Sequence, residues 1–136
     1  MRDLQSVLRK VRDHVTGFPT VRVTAVQTQE QLLREIQAIS PNSLPGVLIV
    51  YDRWSMSESG TIRDVQLTLV VVDRFRAAAE DKAFSAFAAF DRLAALFPAD
   101  GTDLGGAFAL PVDSAAAGLD ADLVCIALGV QVRTGG

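Results

Sequence analysis

Gly46-Val47-Leu48-Ile49-Val50-Tyr51-Asp52 and, after it, Ile62-Arg63-Asp64-Val65-Gln66-Leu67-Thr68-Leu69-Val70-Val71-Val72-Asp73-Arg74 decide how this chain folds. The first run is apolar at every position from Val47 to Val50, so both of its faces need cover, which a solvated antiparallel edge does not supply. It is a central strand, a covered strand, or part of an interface. In the second run, Val65, Leu67, Leu69 and Val71 share one face by the period-two alternation of a strand. The other face is polar at Asp64, Gln66 and Thr68 and turns apolar at Val70 and Val72, so something covers that end. Between the runs lies Arg53–Thr61, too long for a two-residue turn and read as a long hairpin tip. It holds Trp54, the only tryptophan, and Met56. Trp54 either folds back onto the end of the sheet or reaches a neighbouring subunit, where Trp and Arg are frequent anchors.

On the N-terminal side, Leu4, Val7, Leu8, Val11 and Val15 recur at helical spacing, with Arg9, Lys10, Arg12 and Asp13 mostly off that face. A helix is expected over Asp3–Val15, stopped by Gly17-Phe18-Pro19. Thr20–Val26 alternates as a half-buried strand. Thr28 with Gln31 three residues on fits a capping box. The helix that it opens, Gln29–Ile39, carries Leu32, Leu33, Ile36 and Ile39 as its stripe, and Pro41–Gly46 forms a turn.

On the C-terminal side the longest helix is expected over Ala78–Phe97, with Ala83, Ala86, Phe87, Phe90, Leu93, Ala94 and Phe97 packing on the sheet. Its back, with Ser85, Ala88, Ala89 and Ala95 broken by Asp81 and Arg92, is nearly smooth. Alanine there reflects helix propensity, or else it permits close approach of another subunit. Ala99–Gly106 reads as a glycine- and aspartate-rich loop. Phe108, Leu110 and Val112 then alternate, Pro111 marks an edge or irregular strand, and Asp113–Ala121 reads as a small-residue connection. In the last strand Val124, Ile126, Leu128, Val130 and Val132 line one face. Cys125, Ala127 and Gly129 on the other leave room for a helix or a partner, and Thr134–Gly136 reads as a frayed tail. The expectation is an α+β fold: a mixed, mainly antiparallel sheet of four to five strands with a long hairpin and helices packed on one face.

With 136 residues the chain has the size of one domain and needs no disulfide or metal to hold a core. The lone Cys125 sits within an apolar run and is expected to be a buried small hydrophobe in a reducing compartment. A net charge of −3 with both signs interspersed lacks the basic stripe that phosphate neutralisation requires. No apolar run approaches the ~18 residues of a membrane span, and the start of the chain has no signal-like core, so a soluble, cytoplasmic protein without membrane contact is expected.

Groups that could do chemistry are few. His14 is the only histidine, which rules out a multi-histidine metal site, and at a helix end it complements the dipole. Asp100 and Asp103 have neither EF-hand spacing nor a following glutamate in register, and the glycines around them lack P-loop spacing and its lysine. Asp52 and Asp73, read as lying near facing ends of adjacent strands, could form an acid/base dyad only if they shared a cleft; otherwise they are solvating charges paired with Arg53, Arg74 or Arg76. Neither catalysis, cofactor nor metal is expected.

The order helix, strand, helix, long hairpin, long helix, C-terminal strands resembles the tail terminator and tail completion proteins of long-tailed bacteriophages, of the Mu and lambda type. The likeness spans nearly the whole chain. It rests on Val11 with Gly17-Phe18-Pro19, Pro45-Gly46-Val47-Leu48-Ile49-Val50-Tyr51, the Val65–Val72 strand with Asp73-Arg74, and the helix closing at Leu93-Ala94-Ala95-Leu96-Phe97. That resemblance implies a structural protein of a virion tail or phage-like particle, such as a prophage, gene transfer agent or contractile injection system, assembled in the bacterial cytoplasm. It implies a homo-oligomeric ring, commonly a hexamer, that caps the tail tube and ends its polymerisation. Its partners would be the tail tube protein and a neck, head-completion or sheath protein, with DNA passing through the lumen without sequence-specific binding. The resemblance transfers no individual residue. The contacts expected from this sequence itself are Arg53, Trp54 and Met56 at the hairpin, Asp73 and Arg74 at its base, and Ala88 and Arg92 on the long helix. The rival reading is a dimeric ligand-binding or regulatory αβ domain, with a pocket lined by Phe87, Phe90 and Trp54.

Overall fold

A computed structural model describes residues 3–25, 28–39, 41–56, 62–74, 80–120 and 123–134, with side chains described at these positions except 29, 41, 52–56, 62, 63, 74, 80–85, 115–120 and 123. The described elements are α1 (Leu4–His14), β1 (Thr20–Thr24), α2 (Gln29–Gln37), β2 (Gly46–Met56), β3 (Ile62–Arg74), α3 (Glu80–Ala95), β4 (Thr102–Asp103), β5 (Ala107–Asp120) and β6 (Leu123–Thr134). The strands form one sheet in the order β1-β2-β3-β6-β5-β4. β1 runs parallel to β2, and every other pairing is antiparallel. The protein is α+β.

Local chemistry accounts for the helix starts. Asp3 caps α1: one carboxylate oxygen accepts from the Ser6 N–H at 2.8 Å and the other from the Ser6 hydroxyl at 2.9 Å. Those donors, the backbone N–H first, hold the Asp3 carboxyl below the usual aspartate range. Thr28 caps α2 in the same way, its hydroxyl accepting from the Gln31 N–H at 3.2 Å.

The sheet is apolar on both sides. Val47, Ile49, Val65, Leu67, Leu69, Val71, Leu128, Val130 and Val132 pack beneath Val7, Leu8 and Val11 of α1 and Ala89 and Leu93 of α3, with Phe97 just beyond that helix. Leu48, Val50, Val70, Val72 and Cys125 face the other way and meet Leu32, Ile36 and Ile39 of the α2 segment. What covers the apolar end of β3 is therefore α2. The helices lie on both faces rather than one. The reason is the parallel pairing of β1 with β2: a helix joining two adjacent parallel strands must cross over the sheet. Burying a single Val, Leu or Ile side chain stabilises by roughly 1.5–3 kcal/mol, which makes both layers substantial.

The described strands number six rather than four to five. β4 is a two-residue strand within the expected Ala99–Gly106 loop, pairing Thr102 with Ala109 and Asp103 with Phe108. Asp113–Asp120, read as a connection, continues β5 alongside β6 as far as Asp120 opposite Leu123. Small residues have weak strand preference of their own, and here the unsatisfied edge of β6 imposes the conformation. The register slips between Pro111 and Asp113, so Pro111 does mark an irregular strand.

Candidate interaction surfaces

β2 extends to Met56, so Arg53, Trp54 and Met56 are strand residues rather than parts of a loop. Arg53 stands opposite Gln66, Trp54 opposite Val65 and Met56 opposite Ile62, with register shifts after Tyr51 and after Ser55. Their side chains, and with them the question of whether Trp54 folds back, lie outside the described residues, as does the tip from 57 to 61. β1 pairs with β2 only over Gly46–Val50. From Tyr51 onward no described strand pairs with that edge of β2.

Asp73 and Arg74 lie at the opposite end of the hairpin, level with Val124 and Leu123. Asp73 follows Val71 on the α1/α3 face and is only 7% exposed, which leaves little of it for a neighbour to touch. The geometry also separates it from Asp52. Gly46 pairs with Val72, so Asp73 lies one step past Gly46 while Asp52 lies six residues up the same strand in the other direction, which separates the two by about 23 Å at ~3.3 Å per residue. These two carboxylates do not form a dyad.

α3 is rotated from the orientation that its apolar spacing suggests. Ala86, Ala89, Leu93 and Phe97 are buried, Phe90 is half-buried, and Phe87 is 51% exposed. Ala89, expected on the back of the helix, faces the sheet. The small side chains of Ala86 and Ala89 let the helix backbone come close to the strands, and in that position Phe87 swings outward. The outer face thus presents Phe87, Ala88, Asp91, Arg92 and Ala95, all exposed. The Arg92 guanidinium sits 5.2 Å from the centroid of the Phe18 ring, a cation–π contact that ties α3 to the segment before β1.

Two further features escaped the sequence reading. The Nε2 of His14 donates to the Leu96 carbonyl at 2.6 Å, and its ring meets Phe97 edge-on at 5.2 Å, so the end of α1 is fastened to the end of α3. Sequence spacing holds no sign of a contact between positions so far apart. The second is a groove of about 470 Å³ between α1 and the β1–β2 end of the sheet. Leu4, Leu8, Val23 and Tyr51 give it an apolar floor, and Arg9 and Arg12 line its flank.

In the glycine-rich loop, the Asp103 carboxylate accepts from the Gly105 N–H at 2.8 Å, and Lys10 of α1 donates to the Gly105 carbonyl. Asp103 thus shapes its own loop. Among the described residues no three His, Cys, Asp or Glu side chains converge as a metal site would require. No described helix is long and apolar enough to cross a membrane. The Cys125 thiol is buried, and the Gly129 position opposite β5 is filled by the Asp113 carboxylate, which would lie 2.1 Å from a Cβ there. No protein-family model matches the chain, and no curated protein matches it.

Proposed function

We propose that this protein is a structural component of a phage-type tail: a homo-oligomeric ring, of the hexameric kind, that caps the tail tube, ends its polymerisation and offers a surface to a neck, head-completion or sheath protein. The observation that carries the reading is the outer face of α3, where Phe87 stands half out of the fold beside Ala88 and Ala95. An exposed aromatic on a smooth helical face is a surface suited to burial against a partner. The order of elements around a long hairpin, with strands of 11 and 13 residues, supports the same reading through the family likeness. A ring built head to tail needs two different patches on each subunit, and the α3 face and the hairpin edge beyond Tyr51 are two such patches. Arg53, Trp54 and Met56 at the hairpin and Ala88 and Arg92 on α3 are the contact residues of this proposal, with Arg74 at the hairpin base.

The function is tested by growing tail tubes from purified tube protein with and without this protein and measuring their lengths by electron microscopy. A terminator shortens the tubes and sits as a ring at one end. Tubes of unchanged length with no density at either end would refute the proposal.

A further inference from the structure

We infer that the groove between α1 and the β1–β2 end of the sheet binds an amphipathic carboxylate, with an unbranched alkyl chain on the apolar floor and the carboxylate held by Arg9 and Arg12. The inference does not rest on the ring reading, because the site lies within a single copy of the chain.

The shortness of β1 opens the groove. β1 pairs with β2 only as far as Thr24 opposite Val50, and no described strand continues beside Tyr51. α1 packs on β1 and β3, so its outer side and the strand ends border a gap of about 470 Å³. Small-molecule sites commonly measure ~300–1,000 Å³ and are mostly apolar, with a few polar groups that fix orientation. Leu4, Val23 and Tyr51 touch the core but are only partly buried, and an occupant would complete their cover.

Two rows of α1 give the groove its chemistry. Leu4 and Leu8, four residues apart, form the inner row, and Gln5, Arg9 and Arg12, at spacings of four and three, form the outer one. From Leu4 to Arg12 the helix rises about 12 Å at ~1.5 Å per residue. The outer row is neutral at Gln5 and cationic at Arg9 and Arg12, so the groove has an uncharged end and a positive end. Both arginines are exposed. Among the described residues Arg9 forms no ion pair, and Arg12 meets Asp13 at 3.6 Å in an exposed pair, a kind of contact worth little. Two guanidinium groups one turn apart suit a single carboxylate, which accepts from their paired N–H donors. The other place on α1 where an anion could settle is its N-terminus, and there the Asp3 carboxylate already accepts from the Ser6 N–H and hydroxyl. The carboxylate of the ligand therefore belongs at Arg9 and Arg12 and its chain toward Leu4.

The floor distinguishes an alkyl chain from a peptide. A peptide would lay backbone N–H and C=O groups on Leu4, Leu8 and Val23, side chains that offer them no partner, and unmatched polar groups are costly to bury. An alkyl chain brings no polar group to that floor.

The test is a titration of the wild-type protein with hexanoate, octanoate and octanol at neutral pH, followed by NMR chemical shifts. Octanoate should move the signals of Leu4, Leu8, Val23 and Tyr51. Each further buried methylene should tighten binding about fourfold, so octanoate should bind about 15-fold more tightly than hexanoate. Octanol, equal in chain length but uncharged, should bind on the order of tenfold more weakly than octanoate. Arg9→Gln with Arg12→Gln should raise the Kd for octanoate on the order of tenfold and bring it level with that for octanol, and circular dichroism confirms that the variant is folded. Val112→Ser, which removes an exposed apolar side chain on β5, should leave octanoate binding unchanged. Shifts that avoid the groove, octanol binding as tight as octanoate binding, or full octanoate affinity in the double variant would each overturn the inference. Absence of octanoate shifts, with weaker association of the double variant with tube protein, would overturn it too and give the groove to a protein partner. The predicted octanoate pattern in a protein that never assembles would uphold this inference and refute the ring reading.

Discussion

Phe87→Ala separates what holds the subunit together from what the subunit presents to others. Burying a whole phenylalanine removes 150–250 Å² from water, so the hidden half of Phe87 is roughly 100 Å², worth at most about 2.5 kcal/mol at ~25 cal/mol/Å². Alanine keeps part of that area and an open site leaves no cavity, so the expected loss is about 1 kcal/mol. Leu93, fully buried two turns further along α3, is the internal control. Leu93→Ala should cost about 3–5 kcal/mol, because it removes core contacts and leaves a void. Urea unfolding at a concentration where the protein is monomeric reads both, with the slope checked for constancy. Under assembling conditions the order reverses: Phe87→Ala should lose the oligomer while keeping the fold. If Phe87→Ala destabilises the monomer as much as Leu93→Ala does, the ring faces the sheet, α3 is rotated back to the orientation its sequence suggests, and the exposed patch does not exist.

Ile36→Ala should cost about 2–4 kcal/mol by urea unfolding, since α2 alone among the described helices covers Leu48, Val70 and Val72; a cost under ~0.5 kcal/mol would detach α2 from that face. Thr28→Ala should cost about 1 kcal/mol through loss of the α2 cap, with Thr28→Ser close to wild type, and equal losses for both would dismiss the cap. Gly101→Ala should cost about 1–2 kcal/mol, because its φ of +93° is left-handed and a Cβ would press on the Phe108 ring; a neutral result would refute that loop geometry. The Asp3 carboxyl is depressed in the folded state, so its stabilisation is complete above the ordinary aspartate range and is lost as pH falls through its lowered value. Asp3→Ser keeps a cap without a titrating group, and should flatten the acid limb of stability followed by helical circular dichroism between pH 5 and 2; an unchanged limb would exclude Asp3 from it.

What the sequence conveyed and what it hid divide along the range of the interactions. Capping and alternation are local, so the Thr28 cap and the Val65–Val71 face were legible from residue types within a few positions, while Asp3, counted as the first residue of its helix, turned out to be its cap. The demand for cover at Val70 and Val72 was legible too, but not its source. A strand's apolar pattern is the same whether it pairs in parallel or antiparallel, and the parallel β1–β2 pairing is what sends α2 to the second face. The second half of β5 was hidden because Asp113-Ser114-Ala115-Ala116-Ala117-Gly118 has little strand preference, and only the edge of β6 makes it a strand. The turn of α3 was hidden because alanine is neutral in a hydrophobic pattern: Phe87 outweighs Ala89 on any such scale, yet close packing selects the smaller side chain. Among the surface candidates, spacing pointed to Ala88 and Arg92. It could not indicate that Arg92 would stack on Phe18, or that residues of α1, β1 and β2 would converge into one groove.

The absolute mass of the purified protein by light scattering across micromolar concentrations, with and without tail tube protein, tests the central claim most directly. The account predicts a ring of about six copies, or a monomer that becomes one only when the tube protein is added. A dimer that is independent of concentration and indifferent to the tube protein would contradict it, and would favour a ligand-binding or regulatory domain instead.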